Sequence, residues 1–293
     1  MRSLLFVPAD SRKKLAKGMT SGADALILDL EDAVAPAAKT TARATVRDFL
    51  NEARGFKTRP RLFVRINAFA TGLADGDLEA VVAAAPDGIM LPKCGGGGDV
   101  TLLDAKLAVH EALADLTDGA TRILALATET PGSLFTLGSY AGSSRRLEGM
   151  TWGAEDLSVA LGAETNRLTD GGYADPYRLA RALILAAAAA AEVTPIDSVY
   201  VSYRDLAGLR AEAEAGRRDG FAAKMAIHPD QVAVINEVFT PSADSLARAK
   251  RIVAAFAADP GAGVIGLDGE MLDQPHKARA EALLARAKAI GLV

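Results

Sequence analysis

Eight short runs rich in Leu, Ile, Val and Phe recur through the first four-fifths of this 293-residue chain, each followed by a longer segment with helical spacing. They are residues 3–8 (SLLFVP), 25–31 (ALILDLE), 61–67 (RLFVRIN), 88–93 (GIMLPK), 123–129 (ILALATE), 149–156 (GMTWGAED), 198–203 (SVYVSY) and 223–229 (AKMAIHP). Near-continuous apolar runs are what parallel strands buried on both faces require. Eight βα units in about 230 residues predict an α/β fold of the (β/α)8 TIM-barrel class, whose usual size is about 250 residues. The competing architecture is an open doubly wound sheet. That fold ordinarily places a glycine-rich turn after its first strand, where this chain has Pro8, Ala9 and Asp10.

The rhythm stops near residue 236. Residues 1–235 are therefore assigned to a catalytic barrel and 236–293 to a C-terminal helical extension, a second layer or a lid over the active site. The extension holds SADSLARAKRIVAAFAAD, a glycine-containing stretch PGAGVIGLDGEML and a last helix KARAEALLARAKAIGLV.

Charge and cysteine usage exclude several partners. With 33 Lys+Arg against 37 Asp+Glu, a net charge of −4, no clustered cationic face is expected, so neither nucleic acid nor an anionic membrane is a partner. The single cysteine, Cys94, rules out a disulfide framework and a cysteine-rich metal site. The longest apolar run, residues 182–191, falls short of the roughly 20 residues of a membrane span. The opening MRSLLFVPAD is too short in its apolar part for a signal peptide, so the expected compartment is the cytoplasm.

A barrel demands that reactive residues stand at the carboxyl ends of its strands. In this reading strand two ends in Asp29, Glu31 and Asp32, strand three in Arg65 and Asn67, strand four in Lys93, strand five in Glu129, strand six in Glu155 and Asp156, and strand eight in His228. Glu129 and Asp156 close consecutive strands, and two neighbouring carboxylates repel unless a cation lies between them. Mg²⁺ suits such a pair, since it takes oxygen ligands and often only one or two carboxylates. Zinc does not, because His110, His228 and His276 are scattered. The alternatives are a salt bridge from Glu129 to Arg65 or Lys93, and a helix cap for Asp156. Arg65 carries a planar fork matched to a carboxylate, which points to an anionic, oxygen-rich substrate; its alternative is a structural ion pair.

Other motifs lack their context. GAGVIG at 261–266 has no strand before it and no helix directly after it, Gly95–Gly98 lack a following Lys-Ser/Thr, and no G-x-S-x-G elbow occurs. Cys94 is read as packing, and Trp152 as packing in the barrel mouth.

The strings RSLLFVPAD, GADALILDLEDAV with Lys39 and Arg43 downstream, VRIN, IMLPK, ATET, WGAEDLS, GFAAKMAIHP and DGEMLDQPH together resemble the citrate lyase β-subunit-like branch of the HpcH/HpaI aldolase superfamily, from Arg2 to about Ala280. The resemblance implies a Mg²⁺-dependent carbon–carbon lyase that cleaves or forms a malyl-, citramalyl- or citryl-like CoA thioester from a 2-oxo acid and an acyl-CoA. It implies Glu129 and Asp156 as metal ligands, Arg65 as the oxo-acid anchor, and Glu31 and Asp32 as acidic residues lining the substrate site. Asp273 matches an acid/base often delivered by a neighbouring subunit, which implies a homo-oligomer, a trimer or hexamer. Lys224 and His228 match a motif with no assigned role. Thr128 departs from the isoleucine common in the family and leaves Glu129 intact. Acyl-CoA phosphates could be held by Arg12, Lys13, Lys14 or Lys17, whose alternative is a solvated helix face. Other readings are a citrate lyase subunit acting on carrier-protein thioesters, a malyl-CoA thioesterase, and a non-catalytic metabolite-binding protein.

Overall fold

A computed structural model describes residues 1–292. Eight parallel strands, β1 (Ser3–Pro8), β2 (Ala25–Asp29), β3 (Arg61–Arg65), β4 (Gly88–Leu91), β5 (Arg122–Leu126), β6 (Leu147–Thr151), β7 (Thr194–Asp197) and β8 (Ala223–Ala226), pair in chain order, and β8 closes onto β1. Around them lie α1 (Arg12–Gly18), α2 (Lys39–Ala53), α3 (Ala74–Val81), α4 (Gly97–Leu113), α5 (Ala154–Leu161), α6 (Asp175–Ala190), α7 (Leu206–Asp219) and α8 (Pro229–Phe239). This is the TIM barrel expected from the apolar rhythm. Its spacing is uneven: the β5–β6 connection holds only short 3₁₀ turns, and β6 is followed by both α5 and α6.

Because side chains alternate along a strand, each strand divides its apolar residues between two cores. Ala25 and Ile27 point into the barrel with Leu4, Phe63, Leu124, Leu126 and Met225. Leu26 and Leu28 point outward against the helices. Phe63 lies in register with Gly88, where a Cβ would come within 2.4 Å of the ring, so the glycine makes room for this interior layer. The same period of two carries function. Asp29 is two residues beyond Ile27 and Arg65 two beyond Phe63, so both emerge at the mouth on the inner face.

The structure corrects the seventh strand. The run 198–203 is not in the barrel ladder; Thr194–Asp197 is, with Thr194 opposite Gly149 and Ile196 opposite Thr151 and Ala223. Glu192, at φ 56°, reverses the chain right after α6, which brings Thr194 into the ladder at once. Pro195, with no N–H to donate, hides this strand in the sequence. The apolar content of 198–203 lies above the ladder, where Val199 faces the mouth.

Helix α8 continues past residue 235 to Phe239. Beyond it come α9 (Ala243–Ala258), an antiparallel hairpin of β9 (Val264–Leu267) and β10 (Glu270–Asp273), and α10 (Gln274–Ala289). The hairpin is an addition to the helical extension that was expected. Its turn, Asp268-Gly269, has both residues at positive φ (53° and 78°), the Asp-Gly pattern of a tight hairpin that the sequence reading passed over. Ala249, Ile252, Phe256, Leu272 and Ala280 give these elements a small core of their own. At the end of α10, Ala289 and Ile290 line a groove with Met1, Arg2 and Arg61, at the amino ends of the strands and opposite the mouth. Among the described residues no helix is long and apolar enough to cross a membrane.

Candidate active site

The carboxyl ends of the strands open on a cavity of about 430 Å³. Phe6, Leu126 and Met225, from β1, β5 and β8, line it with apolar surface. Asp29, Arg65, Glu129 and Asp156 stand at its edge. A larger cleft of about 820 Å³ lies outside the barrel between α6 and α7, but its main cations are already matched: Arg167 by Glu212 (2.9 Å), and Arg181 by Asp219 (2.9 Å) and Asp197 (3.1 Å).

Asp29, 1% exposed, accepts hydrogen bonds from Arg65 Nε (2.8 Å) and Nη2 (2.6 Å), and from the backbone N–H groups of Glu31 (2.9 Å) and Ala33 (3.2 Å). One edge of the guanidinium is thereby locked, while each terminal nitrogen retains a further N–H. Arg65 Nη1 stands 2.8 Å from Glu31 Oε2, a buried oxygen with no formed hydrogen bond, so that contact is electrostatic. Burial opposes the charge on Arg65, but Asp29, Glu31 and Glu129 outweigh it and raise its pKa. Burial has the upper hand on Glu31, whose carboxyl is pushed above its ordinary value despite Arg65 and Lys93. The loop carrying Glu31 is pinned by Lys39 Nζ, which donates to the carbonyls of Leu30 (2.9 Å) and Glu31 (3.0 Å). Asn67 donates through Nδ2 to Asp77 at 2.7 Å and so ties the end of β3 to α3.

Lys93 is a hub that the sequence reading placed without a role. Its backbone is left-handed at φ 48°, a conformation that costs a non-glycine residue about 1–3 kcal/mol and is tolerated where its surroundings hold it. There its N–H donates to Glu129 Oε2 at 2.5 Å, while its ammonium lies 2.7 Å from Glu31, 3.1 Å from Asp156 and 3.2 Å from Asp32. Burial disfavours this ammonium, but Glu31, Glu129 and Asp156 raise its pKa.

Glu129 is 3% exposed. Its carboxyl is pushed well above the ordinary carboxylate value, first by burial and then by the charge of Asp156, with the Lys93 N–H only partly offsetting them. Gly153 shapes its seat, because a Cβ there would lie 2.8 Å from Glu129 Cγ. Asp156 sits in the first turn of α5, so the expected pair is brought together from β5 and from the helix after β6.

The donor set fits a hard divalent cation. Two neighbouring carboxylates, one of them in a buried site that resists a lone negative charge, suit Mg²⁺, which often takes only one or two protein carboxylates. Among the described residues no group of three or more His, Cys, Asp or Glu side chains is arranged as metal ligands, so a zinc-type site is not built.

Asp32 and Glu155 line the cavity too, and Glu155 accepts a hydrogen bond from Asn166 at 2.8 Å. The other residues singled out from the sequence fall elsewhere. Arg12 ion-pairs with Glu52 on α2, and Lys13, Lys14 and Lys17 lie on the exposed face of α1; none lines the cavity. His228 caps α8 and stacks on Tyr203 with ring centroids 4.7 Å apart. Asp273 ends β10, bonds His276 and does not line the cavity; that hydrogen bond holds its carboxyl below the ordinary range. Cys94 is packed, and burial pushes its thiol up to about 11.

Asp197 was missed. It accepts the Trp152 indole N–H at 2.8 Å and pairs with Arg181 at 3.1 Å and the fully buried Lys224 at 3.5 Å, holding the Trp152 wall of the cavity in place. The signal for it was Ile196-Asp197, an apolar residue followed by an acid, as at the other strand ends.

Residues 2–229 match the HpcH/HpaI aldolase/citrate lyase family, and residues 180–292 match the C–C bond lyases of the TIM-barrel fold. A citrate lyase subunit beta-like protein of Mycobacterium tuberculosis is 36% identical over 283 residues, 97% of this chain and 94% of that one. A (3S)-malyl-CoA thioesterase of Cereibacter sphaeroides is 37% identical over 295 residues, 99% of this chain and 95% of that one. The crystal structure of CitE from Mycobacterium tuberculosis in complex with magnesium, acetoacetate and coenzyme A is similar at a TM-score of 0.78 and 35% identity, covering 98% of both chains.

Proposed function

The chain belongs to the HpcH/HpaI aldolase/citrate lyase family, and from that premise we propose that it is a Mg²⁺-dependent carbon–carbon lyase that splits or forms a 3-hydroxyacyl-CoA thioester, with a 2-oxo acid and an acyl-CoA as its small partners. The observation that carries this reading is the buried Glu129–Asp156 pair beside the Arg65 fork at one cavity. The complex of the similar CitE with magnesium, acetoacetate and coenzyme A supports it.

Glu129 and Asp156 would hold the metal, which supplies a Lewis acid for the hydroxyl oxygen that becomes the oxo-acid carbonyl. Arg65 receives the carboxylate of the oxo-acid half on its terminal N–H groups, while Asp29 keeps the fork oriented. In condensation the ionised Asp273 removes a proton from the acyl-CoA α-carbon, the enolate carbon forms the bond to the oxo-acid carbonyl carbon, and the resulting alkoxide takes a proton from water. In cleavage the same steps run in reverse: hydroxide or water takes the hydroxyl proton, the carbon–carbon bond breaks with its electron pair passing to the thioester as an enolate, and the Asp273 carboxyl, protonated from solvent, returns a proton to the α-carbon.

Asp273 lies outside the cavity of its own chain, on a hairpin whose Val264 and Met271 are 50% and 79% exposed. In this reading a second copy delivers it, in a trimer or hexamer working in the cytoplasm. Asp273→Asn is expected to lower kcat about 10²-fold, the scale of lost general acid–base catalysis. Co-expressed with Glu129→Gln, it should regain activity, since mixed oligomers unite an intact cavity with an intact Asp273. Mixed oligomers that form and stay inactive would place the acid/base elsewhere.

The test of the activity itself is incubation of the purified protein with malyl- or citramalyl-CoA and Mg²⁺, with products followed by mass spectrometry. Acyl-CoA plus 2-oxo acid, lost in EDTA, is the expected outcome; full turnover in EDTA would sink the metal-dependent reading. The likeness to a (3S)-malyl-CoA thioesterase favours one second reading, hydrolysis, which the same assay separates as free CoA without oxo acid.

A further inference from the structure

On the lyase reading, we infer that Lys224, Glu212 and Arg167 are positioning residues, which from outside the barrel fix the Trp152 wall of the cavity at its mouth. None of the three lines that cavity. Ala223 and Met225 belong to the inner core, so Lys224 between them points outward. Leu5 and Leu26 fill that outer face on β1 and β2. Here a fully buried ammonium stands instead, with three partners for its three N–H groups: the Ser198 carbonyl (2.8 Å), Glu212 (2.9 Å) and Asp197 (3.5 Å). A buried ion pair adds little stability over apolar packing of the same volume, so the gain from Lys224 is the geometry it fixes.

The contacts close into a ring. Glu212 reaches Arg167 with its other oxygen at 2.9 Å, the Arg167 guanidinium lies 3.9 Å from the centroid of Tyr173, and Tyr173 meets Trp152 edge-on with centroids 4.9 Å apart. From the other side, Lys224 pairs with Asp197, and Asp197 accepts the Trp152 indole N–H at 2.8 Å. Trp152 is thus held at its N–H by one end of the ring and at its aromatic system by the other. Arg167, Tyr173 and Glu212 line the outer cleft between α6 and α7, whereas Trp152 and Ser198 line the cavity, so the ring joins the two. Directly after Trp152 come Gly153, which seats Glu129, and the first turn of α5 with Asp156. A tilt of the indole therefore disturbs both carboxylates, and release of the Ser198 carbonyl frees the wall on the opposite side.

The chain has a single tryptophan, so its emission reports this wall directly. Glu212→Gln keeps the size and a hydrogen-bonding tip but removes the charge that joins Lys224 to Arg167. In the folded variant Trp152 emission is expected to shift to the red and to become open to acrylamide quenching. kcat/KM for thioester cleavage should fall about 10- to 100-fold, the scale of a misplacement of about 1 Å. Arg167→Lys, which keeps the charge and loses the stack on Tyr173, should act in the same direction and serves if Glu212→Gln does not fold. Arg178→Ala, on the same cleft but outside the ring and 69% exposed, should leave both readouts at the parent values. A folded ring variant with parental emission and parental kcat/KM overturns the inference, and so does a change in either readout without the other. Failure of the parent protein to cleave any thioester overturns the lyase reading instead, and the emission change alone then decides whether the ring holds Trp152.

Discussion

Glu129→Gln is expected to lower kcat/KM for thioester cleavage by about 10³-fold or more, roughly 4 kcal/mol, while leaving the fold intact. Folding survives because the amide replaces a group that burial and Asp156 already resist charging. Without metal, the raised carboxyl pKa means that ionisation costs stability as pH rises from the unfolded value of about 4.3 through the raised folded value. The glutamine variant, which cannot ionise, should therefore melt at the same temperature as the parent or higher near neutral pH. Metal binding needs the carboxylate, so it expels a proton. Mg²⁺ affinity of the parent should rise with pH, up to tenfold per unit below the folded pKa of Glu129, and level off above it. Calorimetric Mg²⁺ titrations between pH 5.5 and 8.5 read that slope. A flat profile would mean that Glu129 is not the ligand.

Arg65→Met is the second large effect. The substitution removes the substrate fork and also strands Asp29, whose side chain is 2% exposed beside an arginine that is 11% exposed. Removing one partner of so buried a pair costs about 3–5 kcal/mol, because the remaining charge has neither water nor a counter-ion. At roughly 2–4 °C per kcal/mol for a domain of this size class, the melting temperature should fall by about 10 °C. kcat/KM should drop about 10³-fold. Pairing it with Asp29→Asn separates the two roles: the double variant should recover most of the melting temperature and none of the activity. Arg65→Lys keeps the charge without the fork and should lose about 10²-fold in kcat/KM. Recovery of activity in the double variant would make Arg65 a structural residue only.

The candidate site was legible to the extent that strand period and strand ends reveal it. Asp29, Arg65, Glu129 and Asp156 were found because a parallel strand reads as an unbroken apolar run, and the charged residues directly after it must lie at the mouth. Asp197 was not found, because Pro195 breaks the look of its strand and the apolar run just beyond drew the boundary six residues too late. The hairpin was overlooked although Asp268-Gly269 announces it. Lys93 was seen, but not its left-handed backbone, which has no signature in a non-glycine residue.

By itself, then, the sequence determined the barrel, the family and the rim on which the carboxylates gather, since all three follow from periodicity and from residues adjacent in the chain. Only the tertiary structure decided how the charges are shared. Glu31, Lys93, Glu129 and Asp156 come from four different segments, and whether a carboxylate is ionised depends on burial and on neighbours a few ångströms away. It also decided where Asp273 stands. That residue stands at the junction of β10 and α10, outside the cavity of its own chain, a position that DQPH alone does not state.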